Sequence, residues 1–191
     1  MNLFRGVKKD LSNADIGWVK DKSPAFEYGY KLAAERLACG FENLDTSSKD
    51  SLIFPIIFLY RQHIELALKG IIIKLDHCLN NNRNDKILEH HKLLSLWDEA
   101  EKLYRQFIET CSITLVFTAE KSIKERAVII DFNKLDEDSF AFSYATDKRG
   151  NGTLTGVDYI SLNNFKSQIS VVLNYIDNVI ETLDHASNIK S

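Results

Sequence analysis

Proline and glycine are scarce in this chain, with two prolines and eight glycines among 191 residues. A many-turned β-sandwich or a disordered chain would use more of both, so helices joined by few turns fit better. Cysteine is scarce as well. Cys39, Cys78 and Cys111 are odd in number, widely spaced and without a CxxC pair, which excludes a zinc ribbon and a thioredoxin-like site. They are expected to be buried or half-buried thiols in a reducing compartment. Neither sign of charge dominates, since 24 Lys and Arg stand against 27 Asp and Glu for a net charge of −3. A generally basic, phosphate-gripping surface is therefore missing, and only a local basic patch stays open.

A long charge-free apolar run is also missing. The longest apolar stretch, 52–75, carries Arg61, Gln62, His63, Glu65, Lys69 and Lys74. A bilayer span of about 20 residues would have to bury several of those charges. The stretch reads as a core helix, and the chain as cytoplasmic with no membrane contact. Residues 1–21 mix Lys, Asp, Ser and Asn without an apolar centre, so no secretory signal is expected.

What is present points to a mainly α fold. The chain is expected to form one domain over 1–191, with an N-terminal arm over 1–23 and a frayed tail over 186–191. Ser23-Pro24 looks like a helix start, with Ser as cap and Pro at the first helical position. Phe26, Tyr30, Ala33, Ala34 and Leu37 follow at helical spacing, and Gly40 is the natural stop. Residues 44–50 read as a polar connection. Asp50 or Ser51 then caps the next helix, with Pro55 in about its first turn. Its apolar stripe runs Ile56, Ile57, Tyr60, Ile64, Leu68, Ile71, Ile72 and Leu75, wide enough to place it mid-bundle, and it should end near Cys78 or Leu79.

The Asn-rich segment 80–85 is a loop by composition. A helix with Leu93, Leu96, Trp97, Ala100, Leu103, Tyr104 and Phe107 inward should follow. Helix and strand compete over 113–117. Residues 120–135 read as helix, with Ile123, Ala127, Val128, Ile130 and Leu135 inward. The period then changes to two. Phe140, Phe142 and Tyr144 alternate with small residues, 147–152 is a turn, and Leu154, Val157, Tyr159 and Ile160 supply a return. A small β-hairpin near 140–160 is expected. A last helix from about Ser161 or Asn163 carries Phe165, Ile169, Val172, Ile176, Val179 and Leu183.

Several polar groups invite a chemical reading. Arg61, Glu65 and Lys69 are four apart on the most apolar helix, so they stack on adjacent turns. They form either a supporting charged stripe or a polar pocket or dimer seam; a buried charge there needs partners. Asp147 and Arg149, on the glycine-rich tip, complete the expected polar cluster. That tip lacks the helix start of a P-loop, and turn chemistry explains its residues. His90 and His91 are adjacent, near a helix start, where a histidine packs, caps or catalyses. His63 and His77 lie about four turns apart, too far for one metal. No cluster of Asp and Glu accompanies a histidine at ligand spacing, so neither metal nor cofactor is expected. Arg83 and His90 are separated by six residues, which matches the signature of some helical ribonucleases, an Arg followed after four to six residues by a His, although Arg83 falls in the Asn-rich loop.

Three segments together resemble a bacterial HEPN-like group. They are Phe58-Leu-Tyr-Arg-Gln-His-Ile-Glu-Leu-Ala-Leu-Lys69, His91-Lys-Leu-Leu-Ser-Leu-Trp97 and Phe140-Ala-Phe-Ser-Tyr-Ala-Thr-Asp-Lys-Arg-Gly150. The resemblance spans roughly 52–183. It implies an up-and-down helical bundle, a homodimer, and a role in bacterial defence or stress response. Many HEPN proteins are ribonucleases of toxin–antitoxin or phage-defence systems. Others have lost catalysis and bind a protein partner or RNA. Catalytic members carry an Arg…His motif at the start of a late helix. The late helix here has neither, its nearest cation being Lys166 and its histidine, His185, lying at the far end. The expected function is therefore a non-catalytic binding or regulatory module. The alternative is a metal-independent ribonuclease, with Arg61, Arg83, His90, His91 and Arg149 as candidates.

Overall fold

The computed structural model describes residues 10–17, 20–81, 85–111 and 122–189. Among these residues six α-helices form a bundle organised around the second: α1 Ser23–Ala38, α2 Thr46–Leu79, α3 Asp85–Leu88, α4 Leu93–Cys111, α5 Ser122–Leu135 and α6 Leu162–Ile189. A 3-10 turn, Phe41–Asn43, joins α1 to α2.

The long helix starts earlier than its apolar stripe suggests. Asp45, in extended conformation, accepts the Ser48 amide at 3.0 Å and the Ser48 hydroxyl at 2.6 Å. This cap satisfies an otherwise orphan donor and recruits the polar segment 46–51 into the helix. Asp50 and Ser51 are thus inside α2, and Pro55 sits well past its first turn. Pro55 has no amide to offer the Ser51 carbonyl, but Ser51 is exposed, so water can serve that oxygen. The helix ends as expected. Asn80 takes the left-handed conformation, and the Asn81 amide reaches back to the Asp76 carbonyl at 3.0 Å.

Apolar residues around most of α2 let it pack against α1, α4 and α6. Ile56, Ile57, Ile64, Leu68, Ile72 and Leu75 are buried there together with Leu96, Trp97 and Phe107 of α4 and Ile169, Val172 and Ile176 of α6. Trp97 lies against Tyr175, ring centroids 5.0 Å apart. In α1 the Ser23 amide donates to the Asp21 carboxylate at 2.9 Å, so Ser23 is helical rather than the cap. Phe26, expected inward, is exposed, while Ala34 and Ala38 are buried. In α5 the inward face is Ile129 and Phe132. Ile123, Ala127 and Leu135 face outward, because the helix docks through the i,i+3 pair Ile129 and Phe132, the latter meeting Phe165 edge-on. Ser161 caps α6 by accepting the Asn164 amide at 3.2 Å. That helix continues to Ile189, past the point where a frayed tail was expected.

The β-hairpin expected near 140–160 does not form. One isolated bridge joins Thr146 to Gly152 at the tip. Asp136 is the cause. Its Oδ1 accepts the Phe140 amide at 2.5 Å and the Ala141 amide at 2.8 Å, which curls the first arm into a turn before it can extend. Ser143 and Tyr144 then both donate to the Phe140 carbonyl. Ala141 and Phe142 are buried side by side rather than alternating. The return arm is broken by left-handed Leu154 and Gly156.

Residues 113–117 and Arg83 lie outside the described residues, as does the start of the helix expected from Glu120. Cys39 is exposed and Cys78 half-buried, both as free thiols; Cys39 thus departs from the buried thiol expected. No helix among the described residues is long and apolar enough to cross a membrane.

Candidate functional site

Arg61 is the centre of the polar network. Its residue exposure is 0 %, which removes every water from the guanidinium. Five N–H donors in dry surroundings demand acceptors. Nη1 donates to Glu65 Oε2 at 3.1 Å, one turn along α2. Nη2 donates to the His91 carbonyl at 2.6 Å and, more weakly, to the Asp136 carbonyl at 3.5 Å. Nε lies 3.2 Å from Asp136 Oδ2 as an ion pair without hydrogen-bond alignment. Next to it Gln62 donates to the Ser139 hydroxyl at 3.0 Å. Two consecutive residues of α2 therefore fasten the chain as it leaves α5.

Glu65 forms the other half. Its side chain is 3 % exposed. Oε2 takes Arg61, and Oε1 takes Lys69 Nζ at 2.9 Å and His91 Nδ1 at 2.8 Å. Burial pushes this carboxyl up, but the hydrogen bonds from Lys69 and His91 outweigh it and hold it below the ordinary glutamate value. His91 lies in the link between α3 and α4, and its side chain is 62 % exposed. With Nδ1 donating to the carboxylate, the neutral form of the ring has its lone pair on Nε2. The network thus runs from a dry guanidinium to an imidazole at the surface.

Arg61, Glu65 and Lys69 are brought together as their spacing implies. Asp147 and Arg149 do not join them. Asp147 closes its own turn, accepting the Arg149 amide at 2.8 Å, the Asn151 amide at 2.9 Å and the Asn151 side chain at 3.0 Å. Those hydrogen bonds hold its carboxyl below the ordinary aspartate value, that from the Asn151 side chain foremost. Turn chemistry retains it at the tip, away from the network. His90 is exposed, and its ring has no partner among the described residues. His63 is buried. Its Nδ1 lies 3.2 Å from the Glu27 carbonyl, and its Nε2 is buried without a partner.

Sequence reasoning missed Asp136. It sits in an acidic run, Asp136-Glu137-Asp138, that resembles an ordinary solvated helix end. The available signal was Arg61 itself, since one glutamate cannot satisfy five buried donors.

The other feature is a cleft of about 790 Å³ between the first turns of α2 and the 141–160 segment. Phe41, Phe54, Phe142, Tyr144 and Tyr159 line it, with Lys49, Asp50 and Asp158 as its charged residues. A smaller hollow of about 320 Å³ lies beside it and shares Phe142, Val157, Tyr159 and Ile160. Tyr159, 95 % exposed, stands on the border between the two. Among the described residues no group of His, Cys, Asp and Glu is arranged to hold a metal ion.

Comparisons with known protein families, curated proteins and solved structures return no match for this chain.

Proposed function

We propose that this chain is a HEPN-like, up-and-down helical bundle that works without catalysis, as a cytoplasmic binding or regulatory module in bacterial defence or stress response. One observation carries this reading: Arg61 is wholly buried and its donors are committed to Glu65, Asp136 and the His91 carbonyl. A guanidinium in that position cannot reach a substrate phosphate, so its work is to hold α2, the α4 entry and the 136–141 turn together. What faces solvent is the aromatic-lined cleft that this network props open. Its size and apolar lining suit a binding site. Its lining carries two carboxylates against one ammonium, which favours a segment of a protein partner over RNA. The chain is proposed to act as a homodimer.

The experiment is incubation of folded protein with a mixed RNA pool in EDTA, beside the His90→Ala/His91→Ala double variant. No cleavage by either is expected. Sedimentation of the wild type reads the oligomer, and a mass consistent with one chain removes the dimer from the proposal.

A second reading has one observation in its favour. His91 is an exposed imidazole oriented by a buried carboxylate, as a general acid–base catalyst would be. Cleavage by the wild type and not by the double variant makes the protein a metal-independent ribonuclease and rejects the binding-only function.

A further inference from the structure

The five histidines of the chain differ in how their rings are held. His63 is buried. His77 and His90 are exposed, without a ring partner among the described residues. His185 comes no closer than 3.9 Å to Glu181, and both are on the surface. His91 alone combines an open ring with a buried anchor. Glu65 Oε1 fixes Nδ1 at 2.8 Å, and Arg61 fixes the backbone through the carbonyl at 2.6 Å.

We propose that His91 is a phosphorylation site, with Nε2 accepting a phosphoryl group from a phosphoramidate-class donor. Three features point that way. The Glu65 carboxylate selects the tautomer that leaves the lone pair on Nε2, and it makes that nitrogen a better electron-pair donor. Lys69, only 16 % exposed, holds its ammonium on the same carboxylate oxygen as the imidazole. A cation is therefore fixed beside the ring. His91 also stands two residues before the first residue of α4, where the helix dipole favours added negative charge.

In the transfer step the Nε2 lone pair attacks phosphorus. The P–N bond of the donor breaks, and the amine, already protonated in the donor, leaves as free amine. The positive charge that develops on the ring meets the Glu65 carboxylate at Nδ1. No oxidant, reductant or metal is consumed. The proposal stands independently of the binding function above, since it concerns the opposite end of the buried network from the aromatic cleft.

The test treats the full-length protein with phosphoramidate itself and maps the label by tandem mass spectrometry after alkaline work-up. Phosphorus NMR identifies the nitrogen. The exposed histidines of one molecule compete for one reagent, so the wild type carries its own controls. His91 should label about tenfold faster than His77, His90 or His185, the low end of the range by which loss of an outer-shell carboxylate alters a histidine's affinity or activity as a ligand. The label should sit on Nε2, and the His91→Gln variant should lose it. In Glu65→Gln and Lys69→Met, verified as folded by circular dichroism, the preference should shrink. Equal labelling of the exposed histidines overturns the proposal, as does label on Nδ1 of His91. So does an unchanged preference in folded Glu65→Gln. If that variant does not fold, the wild-type competition still decides.

Discussion

Arg61 and Asp136 are 75 residues apart in the chain, yet Nε of one lies 3.2 Å from Oδ2 of the other, and neither side chain is more than 1 % exposed. The pair links the middle of α2 to the residue at which the chain leaves α5. The other oxygen of Asp136 sets the following turn by binding the Phe140 and Ala141 amides. One carboxylate thus neutralises a dry guanidinium and shapes the wall of the aromatic cleft.

The consequence for stability is large. Asp136→Ala leaves the guanidinium short of an anionic partner and frees two amides, and Glu65→Ala removes the other anion. Each should cost about 3–5 kcal/mol, the usual penalty for breaking a buried pair from one side. At this chain length that corresponds to a fall in Tm of about 10 °C. Thermal unfolding followed by circular dichroism measures it. An unchanged Tm in both variants would show that the network contributes nothing to folding.

Removing the guanidinium together with both of its anions should be milder than removing one anion. Arg61→Met combined with Glu65→Leu and Asp136→Asn leaves none of these buried charges without its partner and keeps an acceptor for the Phe140 and Ala141 amides, and buried ion groups tolerate that exchange. The triple variant should unfold less easily than Glu65→Ala. Coupling of about 1–3 kcal/mol between Arg61 and its two anions is expected from the mutant cycle. Additive losses in urea titrations would contradict it.

His63 predicts an acid limb in the stability curve. Burial is the largest influence and lowers its pKa below the ordinary histidine value, against the Glu27 carbonyl hydrogen bond, with Lys31 lowering it further and Asp177 and Glu35 raising it. The folded state therefore prefers the neutral ring, and the unfolded chain binds the proton first. Stability is at its full value above about pH 6.5, the unfolded value. It declines as pH falls through that value toward the depressed folded pKa. His63→Phe should flatten this part of the curve, read as urea midpoint against pH between neutrality and mild acid. A wild-type curve no steeper than that of the variant would remove His63 from the account.

Asp45 predicts a local effect at the start of α2. Asp45→Ala removes the acceptor for the Ser48 amide and should lower Tm and fray 46–51, while Asp45→Asn, also a good cap, restores most of the loss. Amide exchange at 46–51 gives the readout. Protection unchanged in the alanine variant would mean that packing alone starts the helix there.

Much of the helical frame was legible in the chain. The end of α2, the start of α6 and the burial of Ile56, Ile64, Leu96, Trp97 and Ile169 follow from apolar spacing and end signals, which are local properties of the sequence. The stacking of Arg61, Glu65 and Lys69 is equally local, because residues four apart share a helix face. The start of α2 was obscured by a polar first turn that looks like a connection until Asp45 is seen to cap it.

The rest belongs to tertiary structure. Which carboxylate 75 residues away meets Arg61, which histidine docks on Glu65, and which face of α5 turns inward depend on how helices cross, and spacing within one helix carries no record of that. The alternating Phe140, Phe142 and Tyr144 promise a strand. A strand needs a partner edge along its length, and the return arm turns away at Leu154 and Gly156. The amides of Phe140 and Ala141 instead find Asp136, so a local pattern that favours extension yields to a buried carboxylate in need of donors.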